Sequence, residues 1–265
     1  MPEPDRVTAA ALAIGDELLS GRTKDRNIGH LAELLTLRGI DLCEARIVAD
    51  TQSAIVAALN ALRASHDYVF TSGGIGPTHD DITADAVAAA FGVPCQHDAE
   101  AMQRLGEHYA RRGVEFTSAR QRMARMPLGA RLIDNPVSVA PGFVIGNVFV
   151  MAGVPQVFSA MLDNVLPELE GGRPLISRTY PCPLAEGDIG AALADLSKAH
   201  AAVSIGSYPR LTDTGYANEI IVRGREAAAV EAAGTAVAAL IERLRRQDDA
   251  AAAVRGDKRG APGAD

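Results

Sequence analysis

Between Val7 and Gly92 the chain passes three times from a short apolar run to a helical stripe, and this alternation limits the fold more than any other feature. "VTAAALAI" (Val7–Ile14) is apolar throughout, as a strand buried on both faces must be. Ile28, Leu31, Ala32 and Leu35 then recur at helical spacing, with Gly39 where a C-terminal cap belongs. "DLCEARIV" is a second strand, and Thr51 is placed to cap a helix striped by Ile55, Ala58, Leu59 and Leu62. "DYVFTS" is a third strand. "TADAVAAAFG" is a helix with Thr83 as its cap, Asp85 in its first turn and Gly92 beyond its end. Strand and helix repeated in this order predict parallel strands, right-handed crossovers and helices on both faces.

A helical stretch is expected from about Asp98 to Met126, then short strands at "RLI", "GFVIG" and "NVFVMAG" and a helix striped by Phe158, Met161, Leu162 and Val165. "EGGRP" (Glu170–Pro174) reads as a linker. Beyond it, strand "LISRTYPC", helix Glu186–Lys198, strands "AAVSIGSYP" and "GYANEIIVRG" and a helix from about Glu226 to Arg246 predict a small α+β appendage. The expected organisation is a leader over 1–6, an α/β domain over 7–170, the appendage over 171–247 and an unstructured tail over 248–265.

Composition restricts the partners. A net charge of −7, 4% aromatic residues and no Trp argue against a surface for nucleic-acid phosphates or stacked bases. No apolar run is long enough to span a bilayer, and "MPEPDR" is polar and acidic, unlike a signal peptide. Three scattered cysteines supply neither a disulfide framework nor a cysteine zinc site, so a cytoplasmic protein is expected.

The chemistry concentrates at strand ends. "TSGGIGPTHDDIT" (Thr71–Thr83) joins the third strand to its helix through Gly73, Gly74 and Gly76. Glycines let a ligand approach the main chain, and amide N–H groups near a helix N-terminus favour an anion. A tight strand-to-helix turn explains the same glycines equally well. Neither a Walker A loop nor a G-x-G-x-x-G fingerprint is present. Asp80 and Asp81 would repel a phosphate unless a divalent cation lay between, although one of them also suits a helix cap. His79 reads as a solvated turn residue. "IGDELLSG" puts Asp16 and Glu17 at the end of the first strand, so these two and Asp80 and Asp81 are expected to converge on one crevice. Ser20, Thr23, Asp25 and Asn27 either contact a ligand or cap the next helix. Arg22, Lys24 and Arg26 either meet a distal phosphate or line a solvated loop. "DNPVSVAPGF" (Asp134–Phe143) and "AGVPQ" (Ala152–Gln156) look like rims of the crevice.

Taken in order, "IGDELLSG", "DRN", "TSGGIGPTHDDIT", "NPVSVAPGF" and "GVP" resemble the blocks of the CinA-like (competence/damage-inducible protein A) group, of the MoaB/MogA-like molybdopterin-binding fold. The resemblance covers residues 7 to about 169, and the appendage resembles the region that follows this domain in CinA-like proteins. It implies a three-layer α/β/α domain with a mostly parallel sheet, binding a phosphorylated pterin or nucleotide. It also implies a metal-dependent hydrolase of a nucleotide pyrophosphate such as ADP-ribose, with Mg, Mn or Co. The alternatives are a molybdopterin-binding or adenylyl-transferring protein, or a non-catalytic binder with a decayed site. By resemblance Asp81 and Asp16 are catalytic, and Asp16, Glu17, Asp80 and Asp81 hold the metal. Ser72, Gly73, Gly74, Gly76, Thr78, Ser20, Asn27, Asn135, Pro136 and Gly142 are expected to contact the ligand. A homodimer or homotrimer is expected on the same ground, and the deamidase domain of full-length relatives is not. The chain departs from the family pattern at Ser138 and Val139, where Gly and Thr are usual, and at Ala152 and Gln156, where Pro and Glu are usual.

Overall fold

A computed structural model describes residues 6–209, 211–212 and 215–257. The chain divides into two compact units, Met1–Arg173 and Pro174–Asp265. The first contains β1 (Val7–Ile14), α1 (Asp16–Leu19), α2 (Asn27–Leu37), β2 (Ile40–Val48), α3 (Gln52–Ser65), β3 (Tyr68–Ser72) and α4 (Thr83–Phe91). It continues with β4 (Cys95–His97), α5 (Ala99–Arg111), α6 (Ser118–Gln121), β5 (Arg125–Pro127), β6 (Arg131–Ile133), β7 (Gly142–Ile145), β8 (Val148–Met151) and α7 (Pro155–Val165).

Six strands form the central sheet in the order β2-β1-β3-β8-β7-β6. The first four run parallel, and β7 is antiparallel to β8 and to β6. Side chains of β1 alternate between two cores, as a strand with period two must when both faces are buried. Ala10, Leu12 and Ile14 pack with Ile55, Leu59 and Leu62 of α3, Val87 of α4 and Leu105 of α5. Val7, Ala9 and Ala11 pack with Leu31 and Leu35 of α2 and with Phe158, Met161 and Leu162 of α7. The three-layer α/β/α architecture and its mostly parallel sheet are therefore present. β4 and β5 form a separate antiparallel pair.

Several local expectations are corrected. The stretch from Asp98 to Met126 is not one helix: α5 ends before Gly113 (φ 63), and a 3-10 turn at Arg122–Ala124 leads into β5. Glycine at a positive φ ends a helix without a Cβ clash. The first unit closes at Arg173 rather than 170, because the linker glycines pack on the turn after α2. A Cβ on Gly171 would lie 2.2 Å from the Arg38 carbonyl oxygen, and one on Gly39 would lie 2.1 Å from that of Gly172.

The second unit contains β9 (Ile176–Cys182), α8 (Glu186–Ala199), β10 (Ser204–Tyr208), β11 (Leu211–Thr212), β12 (Gly215–Tyr216), β13 (Asn218–Gly224) and α9 (Ala227–Asp257). Its antiparallel sheet, ordered β10-β13-β9, carries α8 and α9 on one core of Ile189, Leu193, Ile220, Val222, Val230 and Val237. The small α+β appendage is as expected, with β11 and β12 as an added two-stranded ladder. The unstructured tail expected from 248 is corrected over 248–257, where α9 continues through an alanine run of strong helix formers. The remainder of that tail, 258–265, and leader residues 1–5 lie outside the described residues. No helix among the described residues is long and apolar enough to cross a membrane.

Candidate functional site

A cleft of about 540 Å³ opens at the carboxyl ends of β1, β2 and β3, where open parallel sheets bind ligands. Its floor is the turn after β3. Gly73 (φ 109) and Gly74 (φ 68) sit in backbone regions that favour glycine. A Cβ on Gly73 would lie 2.3 Å from the Ile14 carbonyl oxygen, and one on Gly74 would lie 2.1 Å from Thr83 Oγ1. Thr83 is fully buried, and it is a clamp rather than the cap predicted for α4. Its hydroxyl donates to the Gly73 carbonyl at 3.0 Å and its N–H donates to the Gly74 carbonyl at 3.0 Å. Ile82 takes the cap position without a side-chain bond.

Close packing thus accounts for these glycines locally, but it leaves donors over. Gly73 N–H is spent on the Met151 carbonyl at 3.1 Å. No described residue accepts from the N–H groups of Gly74, Ile75 or Gly76, all three of which line the cleft. Successive backbone donors without protein acceptors are the groups from which anion-binding concavities are built.

Carboxylates face this floor. Glu17, Asp50, Asp80 and Asp81 line the cleft. Asp50 was not singled out in the sequence. It follows β2 just as Asp16 follows β1, and that position at a parallel strand's end is the signal that could have found it. Its Oδ2 accepts from Asp16 N–H at 2.8 Å. Burial pushes the Asp50 carboxyl up from the ordinary range, and the charges of Glu17, Asp16 and Asp80 add to this against the Asp16 hydrogen bond.

The predicted site residues separate into three groups. Glu17, Gly73, Gly74, Gly76, Asp80, Asp81 and Asn135 come together around the cleft. Asp16, Ser20, Ser72, Thr78, Pro136 and Gly142 do not line it. Asp16 instead helps order the turns after β1 and β2, and the Ser20 hydroxyl donates back to the Glu17 carbonyl at 3.3 Å. Thr78 N–H donates to Asp81 Oδ2 at 2.7 Å and its hydroxyl donates to the same oxygen, so Asp81 braces its own turn. Gly142 begins β7, where a Cβ would lie 2.3 Å from the Val150 carbonyl oxygen.

Asn27 forms the third group. It is 5% exposed, and its Nδ2 donates to Ser72 Oγ at 2.7 Å and to the Gly153 carbonyl at 2.9 Å. Asn27 ties β3 to the turn before α7, beside a small adjoining recess of about 80 Å³. Asp25 is a helix cap, accepting from Ile28 N–H at 2.9 Å.

Three further features complete the site. Asn135, 3% exposed, organises the rim loop: Nδ2 donates to Ser138 Oγ and to the Ala140 carbonyl, each at 2.7 Å, while Oδ1 accepts from the Val137 and Ser138 N–H groups. Val139 in that loop takes φ 68, the one non-glycine residue with positive φ among those described. Ile14, Ile75, Met123, Val154 and Val157 give the cleft an apolar wall, with Val154 56% exposed. Arg122 was also missed: its Nη2 donates to the Asp81 carbonyl at 3.2 Å, placing a cation behind the glycine turn. Among the described residues no three His, Cys, Asp or Glu side chains are arranged to hold a metal ion by themselves.

Residues 10–171 match the family described as a probable molybdopterin binding domain, and residues 174–248 match the middle domain of FAD synthase. The chain is 42% identical to a CinA-like protein of Citrifermentans bemidjiense over 167 residues, which cover 61% of this chain and 40% of that one. The crystal structure of the protein CinA, of unknown function, from Thermoplasma acidophilum is similar with a TM-score of 0.57 and 30% identity, covering 62% of this chain and 99% of that one. The tungsten cofactor synthesizing protein MoaB from Pyrococcus furiosus is similar with a TM-score of 0.42 and 17% identity, covering 62% and 93%. The chain spans about half the length of the CinA-like relatives it matches.

Proposed function

Because the chain belongs to the CinA-like proteins of the molybdopterin-binding domain family, we propose that its cleft binds a phosphorylated nucleotide or pterin and hydrolyses a nucleotide pyrophosphate such as ADP-ribose with a divalent cation. The observation that supports this reading is the set of N–H groups of Gly74, Ile75 and Gly76, which have no acceptor among the described residues and belong to the same cleft as Glu17, Asp50, Asp80 and Asp81. Such a floor takes a phosphate through main-chain donors and needs no basic patch, which agrees with a net charge of −7.

The donor set suits a cation only in company. Among the described residues no three carboxylates form a cage, but Mg²⁺ and similar ions take one or two carboxylates plus phosphate oxygens and water. Glu17 and Asp80 are the cleft carboxylates that would hold it, which leaves Asp50 free to act as a base. A bound cation would neutralise the phosphates and polarise the phosphorus under attack. The chain's own contribution is positional. The turn amides hold one phosphate, and the apolar wall carries a heterocycle. A carboxylate accepts the proton of the attacking water as its oxygen bonds to phosphorus and the P–O–P bridge breaks, giving AMP and ribose phosphate. Asp50 suits that role better than Asp81, because its carboxyl is pushed up while Asp81 Oδ2 is committed to Thr78.

The test is hydrolysis of ADP-ribose by purified protein with and without Mg²⁺, Mn²⁺ or Co²⁺, with AMP separated from ribose phosphate. Metal-dependent AMP release that is lost in Asp50→Asn supports the reading. A second reading, molybdopterin binding without hydrolysis, is favoured by the apolar wall and half-bare Val154, which suit a pterin ring. Absence of turnover with every metal would select it, or a non-catalytic binder. Assembly as a homodimer or homotrimer belongs to the same proposal, and light scattering decides it.

A further inference from the structure

We propose that Ser138 is a ligand-binding and specificity-determining residue whose hydroxyl donates a hydrogen bond into the cleft; this rests on the anion-binding reading of that cleft. Asn135 fixes the direction of the proton. Its amide orientation is unambiguous, because one end meets the Ala140 carbonyl, which can only accept, and the other meets the N–H groups of Val137 and Ser138, which can only donate. The group facing Ser138 Oγ at 2.7 Å is therefore Nδ2–H, and the hydroxyl oxygen is its acceptor. The serine proton must point elsewhere, and no described residue accepts it. Ser138 lines the same cleft as Gly74, Ile75 and Gly76. Asn135 is 3% exposed and uses both ends of its amide on the loop, so the hydroxyl is held in place before any ligand arrives.

The consequence is a fourth donor in the cleft that holds the three free amides, carried by a side chain and not by the backbone. A glycine there would leave a gap for water. An aligned O–H selects a ligand with an acceptor at that side, a phosphate oxygen or a sugar hydroxyl, over one presenting a donor or an apolar group. The closed loop bonds around Asn135 also mean that the donor is pre-organised, so the ligand does not bear the cost of ordering it.

Calorimetric titration of ADP-ribose and of inorganic pyrophosphate into the wild type, Ser138→Ala and Ser138→Thr tests this. Ser138→Ala should weaken binding of ADP-ribose about tenfold, as expected for one hydrogen bond to a charged acceptor. Ser138→Thr keeps the hydroxyl and should stay within about threefold of the wild type. Equal binding by the wild type and Ser138→Ala would overturn the inference and leave the anion-site reading standing. So would equal weakening in both variants, since shape and not the hydroxyl would then be responsible. A wild type that binds neither probe would overturn the anion-site reading and this inference with it.

Discussion

Val139 offers a perturbation whose size follows from the backbone. At φ 68 it sits in the left-handed region, where a β-branched side chain crowds its own main chain. Residues held in such regions cost about 1–3 kcal/mol each. Asparagine adopts this conformation far more readily, because its short polar side chain bonds locally. The counter-term is lost apolar contact. Val139 belongs to neither core cluster of its unit, so the lost burial is well below the ~1.5–3 kcal/mol of a fully buried valine. The Val139 N–H donates to the Asn135 carbonyl at 3.0 Å, and that bond survives the change. Val139→Asn should therefore stabilise the unit by about 1 kcal/mol, raising its midpoint by roughly 2–4 °C for a unit of this size. Urea unfolding followed by circular dichroism should show a higher midpoint at an unchanged slope. A lower midpoint would refute the reasoning, because it would mean that valine packing outweighs the strain.

Other sites give sharper contrasts. Asn27→Ala removes one buried and one part-buried hydrogen bond and leaves Ser72 Oγ and the Gly153 carbonyl short of a donor, so a loss of about 2–3 kcal/mol is expected in urea unfolding; a change under ~0.5 kcal/mol would show that water replaces it. Asp67 and Asp50 should show opposite pH signatures. Two bonds from Thr8, N–H at 2.8 Å and hydroxyl at 2.7 Å, hold the Asp67 carboxyl below the usual range. Its contribution is present above the unfolded carboxylate range and is lost as pH falls through its lower folded value. Asp67→Asn should thus be less stable than the wild type at pH 7, with the gap closing in acid. The folded Asp50 carboxyl is raised, so ionising it opposes folding above its folded value and the deficit disappears in acid. Asp50→Asn should be the more stable protein at pH 7, again with the gap closing in acid, as midpoints measured across a pH series will show.

Much of the fold can be read from periodicity. The run Val7–Ile14 is β1 residue for residue, and the stripes of α2 and α3 bury Leu31, Leu35, Ile55, Leu59 and Leu62. The glycines at 39 and 92 take the positive φ that helix ends require. Each of these signals is local, arising within a strand or a helical turn. What stayed hidden depends on contacts far apart in sequence. Thr83 reads as a cap because it precedes an apolar helix, yet its hydroxyl is drawn ten residues back to Gly73 by the close approach of α4 to the turn. Asn27 reads as a ligand contact, but its partners lie 45 and 126 residues away. Asp50 becomes a cleft residue only because β2 pairs beside β1 and brings its end next to Asp16 and Glu17. Topology puts a crevice at the carboxyl ends of the parallel strands, and the structure has a cleft there. The residues that line it were settled by packing.

The central claim is that the turn amides of Gly74, Ile75 and Gly76 receive an anion. The direct measurement is titration of ADP-ribose into ¹⁵N-labelled protein, following each backbone amide by NMR. The account predicts saturable downfield shifts of those three N–H resonances, with the Gly73 N–H, already bonded to the Met151 carbonyl, moving little. Saturable shifts that leave residues 74–76 untouched, or no shifts at all, would contradict it.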